Sequence, residues 1–565
     1  MLVLNILFCL AAEEIFMHAV MNLGSIISNS ARRYPERIGL VQGSSNWTWL
    51  ELTSNVDAMA ISLKNLGLGK GDRVMVQCQN NRYLFECMYA IVKIGAVYVP
   101  INARSTTVET LEMVDLCDAK AFIVDSCISE NGIDISALDN SVENVIFAGK
   151  LPSDNLPGGN KLENEIRNCW SYDDLIYSNK GKPFTDEAVV YDDICWHSFT
   201  SGTTGVPKGA LTTHGGMQFV INNRLADVVP NVDLHHALLA IGPLTHGTGT
   251  ASMVNVSQGA KTVLLSSSRF DEGECWQLIE EQKITTLFTV PTILMRLLKH
   301  PDAENFDSTS LQHVVYAGAP ITQSDQKIAL NKFGSKLVQY YGSAETLGAG
   351  TVLTPDMHTG DNNENQCPDG SCGIARTGTE LKIVNSQMLP VAINEEGEIC
   401  MRGSGVFYGY YNNPEANAEA FVQGWYRTGD LGRMDERGFV TIVGRTKELY
   451  KSGGLQVYPN EIQNHLAKHP AVCEAHVVSF PDSEWGEVGV AIVKLKAEDS
   501  ATEGELIEFI RQQLSAYKQP KRIFIWMEIP KTPYGKVPKS LLRDALLERG
   551  LVTLGEDIQP YIREK

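Results

Sequence analysis

From Leu52 the apolar residues Leu52, Val56, Met59, Leu63 and Leu66 fall four and three apart. That spacing is one face of a helix, and Gly67 supplies its C-terminal stop. RVMVQ, residues 73–77, predicts a strand. A second helix is expected from about Tyr83 to Lys93, then strands at AVYV (96–99) and AFIV (121–124). Strands alternating with helices predict a parallel sheet with helices on its faces. The alternation returns at VVYAGAP (314–320) and LVQYYG (337–342). From about Asn385 short strands and Gly-rich turns dominate, as in EGEICMRG and GFVTIVGR, which predicts a small β-rich subdomain. After Gly444, VVSF, VGVAIVKL and a helix from about Glu503 to Leu514 predict a small α+β domain. It would hold roughly 110–120 residues. There is no internal repeat and no long low-complexity tract.

Length and composition narrow the class. The chain has 565 residues, enough for about three to five structural units. Hydrophobic residues are 43% and charged residues 20%, which excludes a disordered or collagen-like chain. The net charge of −19 argues against a nucleic-acid binder, because a phosphate backbone needs a basic stripe. It leaves room for one local basic site. The 12 Cys are scattered without a CxxC pair. Cys367 and Cys372, in QCPDGSC, read as ordinary reduced thiols, which fits a cytoplasmic location.

The opening MLVLNILFCLAA is apolar but lacks a basic region, and Glu13 and Glu14 follow at once. It is also shorter than the roughly 20 residues of a membrane span. Residues 1–20 are therefore set apart as an extension, with Met17 or Met21 as alternative starts. Leu234 to Ala260 is free of Asp, Glu, Lys and Arg. Its Pro243, His, Thr and Gly residues read as buried strand and loop, so no transmembrane segment is expected.

TSGTTGVPKGAL, residues 200–211, is the richest segment chemically. Gly202, Gly205 and Gly209 let backbone N–H groups approach a ligand closely. Thr200, Ser201, Thr203 and Thr204 add hydroxyls, and Lys208 adds a point charge. That set suits a polyphosphate, although a surface loop can share the composition. It is not a Walker A loop, because Pro207 rather than Gly precedes the Lys.

On this motif the chain resembles the adenylate-forming superfamily of acyl-CoA synthetases, peptide-synthetase adenylation domains and beetle luciferases. Further motifs of that family follow in order, from about Gly24 to Pro538. The resemblance implies that the 200–209 loop grips the ATP phosphates and that His246, in PLTHGTG, sits near the acyl carboxylate. Alone, such a His would be an ordinary core residue. YAGAP and QYYGSAET resemble the adenine-site segments. They imply that Gly318, Ala319 and Gly342 line the base, that Tyr341 stacks on it, and that Glu345 is catalytic and ligates Mg²⁺. The family has Thr before that Glu, whereas this chain has Ala344, so one phosphate contact does not carry over. WYRTGDLG gives Asp430 to the ribose. GRTKELYKSGG gives Arg445 to the ribose or phosphates, Lys447 to a hinge, and Gly453 and Gly454 to a pantetheine tunnel. KTPYGKVPK supplies the catalytic Lys536.

The fold implied is α/β, with a large adenylation domain over 21–446 and a small mobile lid domain over 447–565. The activity implied is AMP-forming: a carboxylic acid and ATP give an acyl-adenylate, and coenzyme A then takes the acyl group as the small domain rotates. The expected partners are ATP, Mg²⁺, CoA and an acid, with no nucleic acid, and a homodimer stays open. The residues expected at the acyl pocket are largely apolar, which points to a medium- or long-chain fatty acid, with an aromatic or alicyclic acid as the alternative. Roughly 27 residues follow Pro538, too few for a carrier domain. Transfer to a separate carrier protein, a luciferase-like oxygenase and an inactive nucleotide-binding homologue are the other readings. Intact Lys208, Glu345, Asp430, Arg445 and Lys536 argue against the last.

Overall fold

Thr48 starts the first long helix, Trp49–Asn65: its side chain accepts from Glu51 N–H while the Glu51 carboxylate reaches back to the Thr48 N–H. The predicted face is buried at Leu52, Val56, Met59 and Leu63. Gly67, at φ +85°, turns the chain away in a conformation that favours glycine. The computed structural model describes residues 19–130, 138, 142–149, 168–200, 207–266, 269–359, 366–446, 448–496, 500–531 and 537–561. The opening MLVLNILFCLAA lies outside them. Ala19–Val20 pairs antiparallel with Val189–Val190.

By contacts the chain forms two compact units. The first comprises Met1–Pro368, Cys372–Leu381 and Met401–Tyr426. It contains an 8-stranded sheet in the order Gly409–Tyr410, Lys208–Thr213, Ile194–Thr200, Val97–Pro100, Arg73–Gln77, Ala119–Asp125, Asn144–Ala148, Asn168–Ser171. The strands from Ile194–Thr200 onward run parallel, and Lys208–Thr213 is antiparallel to both its neighbours. A second sheet sets Ile38–Gln42, Lys261–Leu264, Ala237–Ala240, Thr286–Thr289, His313–Tyr316 and Leu337–Tyr341 side by side, all parallel. Ala237–Ala240 and Thr286–Thr289 are buried throughout, as expected for strands covered on both faces.

The second unit comprises Asp369–Ser371, Lys382–Cys400 and Arg427–Lys565. In it Asp430 stands opposite Arg445 on antiparallel strands. A small sheet runs Leu455–Val457, Tyr450–Ser452, Gly486–Leu495, Val472–Asp482, and Arg522–Ile525 lies parallel to Gly486–Leu495. The helix Glu503–Arg511 buries Leu506, Ile507 and Ile510 against this sheet's core. The chain is thus the expected α/β assembly with a small α+β C-terminal part.

One stretch differs from the sequence reading. Leu234–Ala260 holds the strand Ala237–Ala240 but also the helix Gly247–Gln258. Gly247, Thr248, Gly249 and Thr250 open this helix despite poor helix propensity, because tertiary burial outweighs intrinsic preference. Thr248, Gly249 and Thr250 are buried, as are Met253, Val254 and Val256 further along. No helix among the described residues is long and apolar enough to cross a membrane. No disulfide joins the described cysteines.

Candidate active site

Three motifs leave the same end of one parallel sheet. The strand Ala237–Ala240 leads to the His246 turn, His313–Tyr316 leads to Gly318, and Leu337–Tyr341 leads to Gly342 and Glu345. Parallel strands point their C-terminal ends the same way, and open α/β sheets bind ligands there.

At the 200–209 motif the structure gives the frame. Thr200 and Lys208 face each other in the antiparallel pair, and Thr200 Oγ1 donates to Lys208 O at 3.4 Å. Ser201, Gly202, Thr203 and Thr204 lie outside the described residues. Gly209 is held to glycine by packing, since a Cβ there would stand 1.8 Å from His197 Nε2. The Lys208 ammonium lies 5.2 Å from the Tyr410 ring centroid, within cation–π range. Tyr410 sits on the neighbouring strand, opposite Ala210. Its hydroxyl donates to Glu345 Oε1 at 3.0 Å. Burial, followed by the Glu345 charge, pushes the Tyr410 phenol up, so it stays a donor. Phe407 N–H donates to Glu345 O at 2.7 Å and fixes that backbone. One phenol therefore ties the motif lysine to the motif glutamate.

Glu345 lies in the short 3-10 turn Ala344–Thr346 and is buried. Thr346 Oγ1 accepts from Ser343 N–H at 3.0 Å. The hydroxyl one place after Glu345 is therefore committed to the turn and does not replace the Thr that Ala344 displaces. Gly342 has no room for a side chain, since a Cβ would lie 2.6 Å from Gly348 Cα. Tyr341 ends its strand half-buried, Gly318 takes φ +82°, and Ala319 is exposed.

His246 precedes the helix Gly247–Gln258, and its Nδ1 is 2.8 Å from Thr245 Oγ1. The turn is clamped by Asn80, which accepts from Leu244 N–H at 2.8 Å and donates to Gly242 O at 2.8 Å. A Cβ on Gly249 would stand 2.0 Å from Leu244 O. A Cβ on Gly247 would stand 3.0 Å from Phe288 and 3.2 Å from the Tyr340 hydroxyl. Those two rings stack at 5.9 Å.

In the second unit Asp430 is buried and accepts from Arg445 Nε at 2.9 Å. Asp430 N–H donates to Thr428 Oγ1 at 3.1 Å, and Thr428 donates to Ile399 O at 2.8 Å. A carboxylate so oriented can accept from vicinal hydroxyls. Gly453 and Gly454, at φ +58° and +81°, form the turn between Tyr450–Ser452 and Leu455–Val457. Two successive positive φ values require such residues. Gly453 N–H donates to Trp485 O at 2.8 Å. Lys447 and Lys536 lie outside the described residues. Nearby, Lys539 pairs with Glu448 at 3.0 Å, and burial pulls its ammonium pKa down.

Tyr410 and Asn80 were not found by sequence reasoning. GYYNN offered an aromatic run near a turn, but nothing there announced a partner for Glu345. Among the described residues no group of three or more His, Cys, Asp or Glu could hold a metal alone. Glu345 fits an ion that takes one or two carboxylates and completes its shell with phosphate and water, as Mg²⁺ does.

A doubly layered α/β unit with these motifs at one sheet end, followed by a small α+β part, defines an adenylate-forming enzyme. The chain belongs to the AMP-binding enzyme family: that family's model matches residues 27–411, and the AMP-binding enzyme C-terminal domain matches 461–536. A feruloyl-CoA synthase of Amycolatopsis sp is 31% identical over 92% of this chain and 98% of its own. The long-chain-fatty-acid–CoA ligase FadD13 of Mycobacterium tuberculosis is 29% identical over 93% of this chain and 98% of its own. The solved structure of an ATP-bound RpMatB–BxBclM chimera has a TM-score of 0.81 at 25% identity, covering 94% of this chain and 100% of its own.

Proposed function

We propose that this chain is an AMP-forming acid–CoA ligase. The observation that carries the reading is the Lys208–Tyr410–Glu345 arrangement, which holds a cation and a carboxylate at one site through one phenol. Membership of the AMP-binding enzymes supports it.

In the proposed first step an oxygen of the acid's carboxylate attacks the α-phosphorus of ATP. The bond to the bridging oxygen breaks, and pyrophosphate leaves. Positioning and charge neutralisation dominate such displacements. Lys208 and the 200–204 hydroxyl and glycine loop hold the β- and γ-phosphates. Tyr341 stacks on adenine, lined by Gly318, Ala319 and Gly342. Asp430 and Arg445 take the ribose. His246 meets the acid, and Lys536 offsets charge between acid and α-phosphate. Glu345 offers its carboxylate to Mg²⁺, which when bound neutralises phosphate charge. In the second step the CoA sulfur, its proton lost to solvent, attacks the acyl carbon, and AMP leaves with the bonding pair. Gly453 and Gly454 line the thiol's path, and Lys447 serves as the hinge.

Two acid classes stand: a medium- or long-chain fatty acid, and a compact aromatic or alicyclic acid. The compact class is favoured by the stacked Phe288 and Tyr340 rings, which wall the turn at Gly247. In this reading an acyl group held at His246 meets both rings. The test is CoA-dependent AMP release over acids of graded length and shape. Cinnamate- or benzoate-sized acids are expected to exceed palmitate. Palmitate as the best substrate overturns the compact class. AMP release only with an acyl carrier protein as acceptor overturns CoA as the acceptor. No AMP with any acid overturns the ligase reading.

A further inference from the structure

The phenol that links Lys208 to Glu345 stands on the two-residue strand Gly409–Tyr410, at the edge of the 8-stranded sheet. A strand that short holds its register weakly. Tyr410 lies opposite Ala210, and the bonds to the neighbouring strand come from Tyr411 and Tyr408. Tyr411 N–H donates to Gly209 O at 2.8 Å, and Tyr408 N–H donates to Leu211 O at 2.8 Å. The N–H and C=O of Tyr410 itself therefore point away from the sheet, as at alternate residues of an antiparallel pair. Peptide groups at a sheet edge need partners of their own.

Asn417 supplies both. Its Oδ1 accepts from Tyr410 N–H at 2.6 Å, and its Nδ2 donates to Tyr410 O at 2.9 Å. A side-chain amide carries an acceptor and a donor side by side, as the peptide groups of a strand do. The Asn417 amide thus stands where a further strand would pair. Local turns bring it there. Asn412 bends the backbone at φ +47°. Asn413 then accepts from Ala416 N–H at 3.0 Å and caps the helix Pro414–Ala420. Gly409 leaves the room, since a Cβ there would stand 3.1 Å from Asn417 Oδ1, and its φ is +147°.

Register matters here because YGYY, residues 408–411, offers three tyrosines. Tyr408 is 62% exposed. Tyr410 donates to Glu345, with its ring centroid 5.2 Å from Lys208 Nζ. Tyr411 donates to Asp118 Oδ2 at 2.7 Å, and the Arg73 guanidinium lies 5.4 Å from its ring centroid. A slip of one residue turns every side chain of a strand to the other face. A slip of two would offer Tyr408 to Glu345. Phe407 packs edge-on against the Tyr410 ring at 4.8 Å, which fills space without choosing a register.

We infer that Asn417 is a positioning residue for the Lys208–Glu345 site. Its amide fixes the register of residues 408–411, so that the Tyr410 phenol, and not that of Tyr408 or Tyr411, orients the Glu345 carboxylate beside Lys208. Asn417 touches no reacting group and acts through Tyr410. Both halves of the amide are needed. Asp would keep the acceptor but set a carboxylate oxygen against Tyr410 O, and Ala would remove both bonds. The inference rests on the acid–CoA ligase reading and adds a residue to it.

The test is a double-mutant cycle on the full-length protein, with Asn417→Ala, Asn417→Asp and Tyr410→Phe made singly and in combination. Three quantities are read: the Mg²⁺ concentration for half-maximal pyrophosphate release, MgATP binding by calorimetry without acid or CoA, and amide exchange of the 407–411 segment. Each Asn417 variant is expected to speed exchange in that segment and to raise the Mg²⁺ requirement about tenfold, as Tyr410→Phe does. Added to Tyr410→Phe, either should change the Mg²⁺ requirement by less than about twofold, because both act through one bond. Effects that multiply overturn the inference. Unchanged exchange overturns it too, because the clamp then holds nothing. An asparagine that only stabilises the fold would lower the unfolding midpoint and leave the Mg²⁺ requirement alone, which also overturns it. If Asn417→Ala does not fold, the isosteric Asn417→Asp decides. A wild type that forms no AMP with any acid sinks the ligase reading alone, and the same cycle read in MgATP binding then decides the inference. Weaker binding in both single variants, with no further loss in the double, upholds it, and binding equal to wild type overturns it.

Discussion

Tyr410 donates to Glu345 at 3.0 Å while its ring lies beneath the Lys208 ammonium. The pairing matters because three sequence-distant segments meet in it. Lys208 lies in the 200–211 motif, Glu345 follows a parallel strand, and Tyr410 comes from a two-residue strand on the edge of the other sheet. If Glu345 serves Mg²⁺, Tyr410 fixes which way the carboxylate faces. Glu345→Gln is expected to lower pyrophosphate release and raise the Mg²⁺ concentration needed for half-maximal rate. Tyr410→Phe should do the same more weakly, by about tenfold, since a hydrogen bond to a charged group is worth about 1.5–3 kcal/mol. An unchanged Mg²⁺ titration in both variants removes Glu345 from the metal.

The Asp430–Arg445 contact at 2.9 Å gives a separate check on the ribose. Asp430→Asn is expected to raise KM for ATP about tenfold by weakening a charge-assisted hydrogen bond. Wild-type enzyme should prefer ATP to 2′-deoxy-ATP, and the variant should lose most of that preference. Undiminished discrimination would place Asp430 elsewhere.

A variant at Lys536 tests the proposed division into two half-reactions. The proposed mechanism uses it in adenylation alone, where losing one preorganised donor costs about 10²–10³ in rate. Lys536→Ala should slow pyrophosphate release by that factor and leave thioester formation from supplied acyl-adenylate nearly unchanged. Equal losses in both contradict a role confined to the first step.

Acid stability has a definite sign. Burial lowers His197, His214, His313 and His358 to about 4 from an ordinary value near 6.5. These imidazoles are neutral when folded, and the unfolded chain binds the protons first. Their contribution is present above pH 6.5 and lost as pH falls toward 4, by up to about 3 kcal/mol each. The unfolding midpoint should therefore drop steeply from pH 6.5 to 4. A midpoint flat across that window contradicts neutral burial.

The motifs were legible because each is local in sequence. The sequence singled out Gly209 and Gly453–Gly454, but the reasons the structure gives are its own: His197 fills the space of a side chain at Gly209, and both φ values are positive at Gly453–Gly454. Long-range partners did not read. Asn80 reaches across 164 residues to clamp the His246 turn, and Tyr410 reaches 65 to Glu345. Each is an ordinary polar or aromatic residue until the sheets bring it to the site. The helix Gly247–Gln258 was also hidden, since its opening Gly and Thr residues carry a loop's composition and only burial makes them helical.

The central claim is the AMP-forming chemistry, and one measurement tests it most directly. Purified protein with ATP, Mg²⁺, CoA and the acid panel is followed for adenine nucleotide products and for thioester. The expected result is AMP and pyrophosphate in equal amounts with acyl-CoA, dependent on the acid. ADP and inorganic phosphate in their place, or nucleotide turnover indifferent to the acid, would contradict the account.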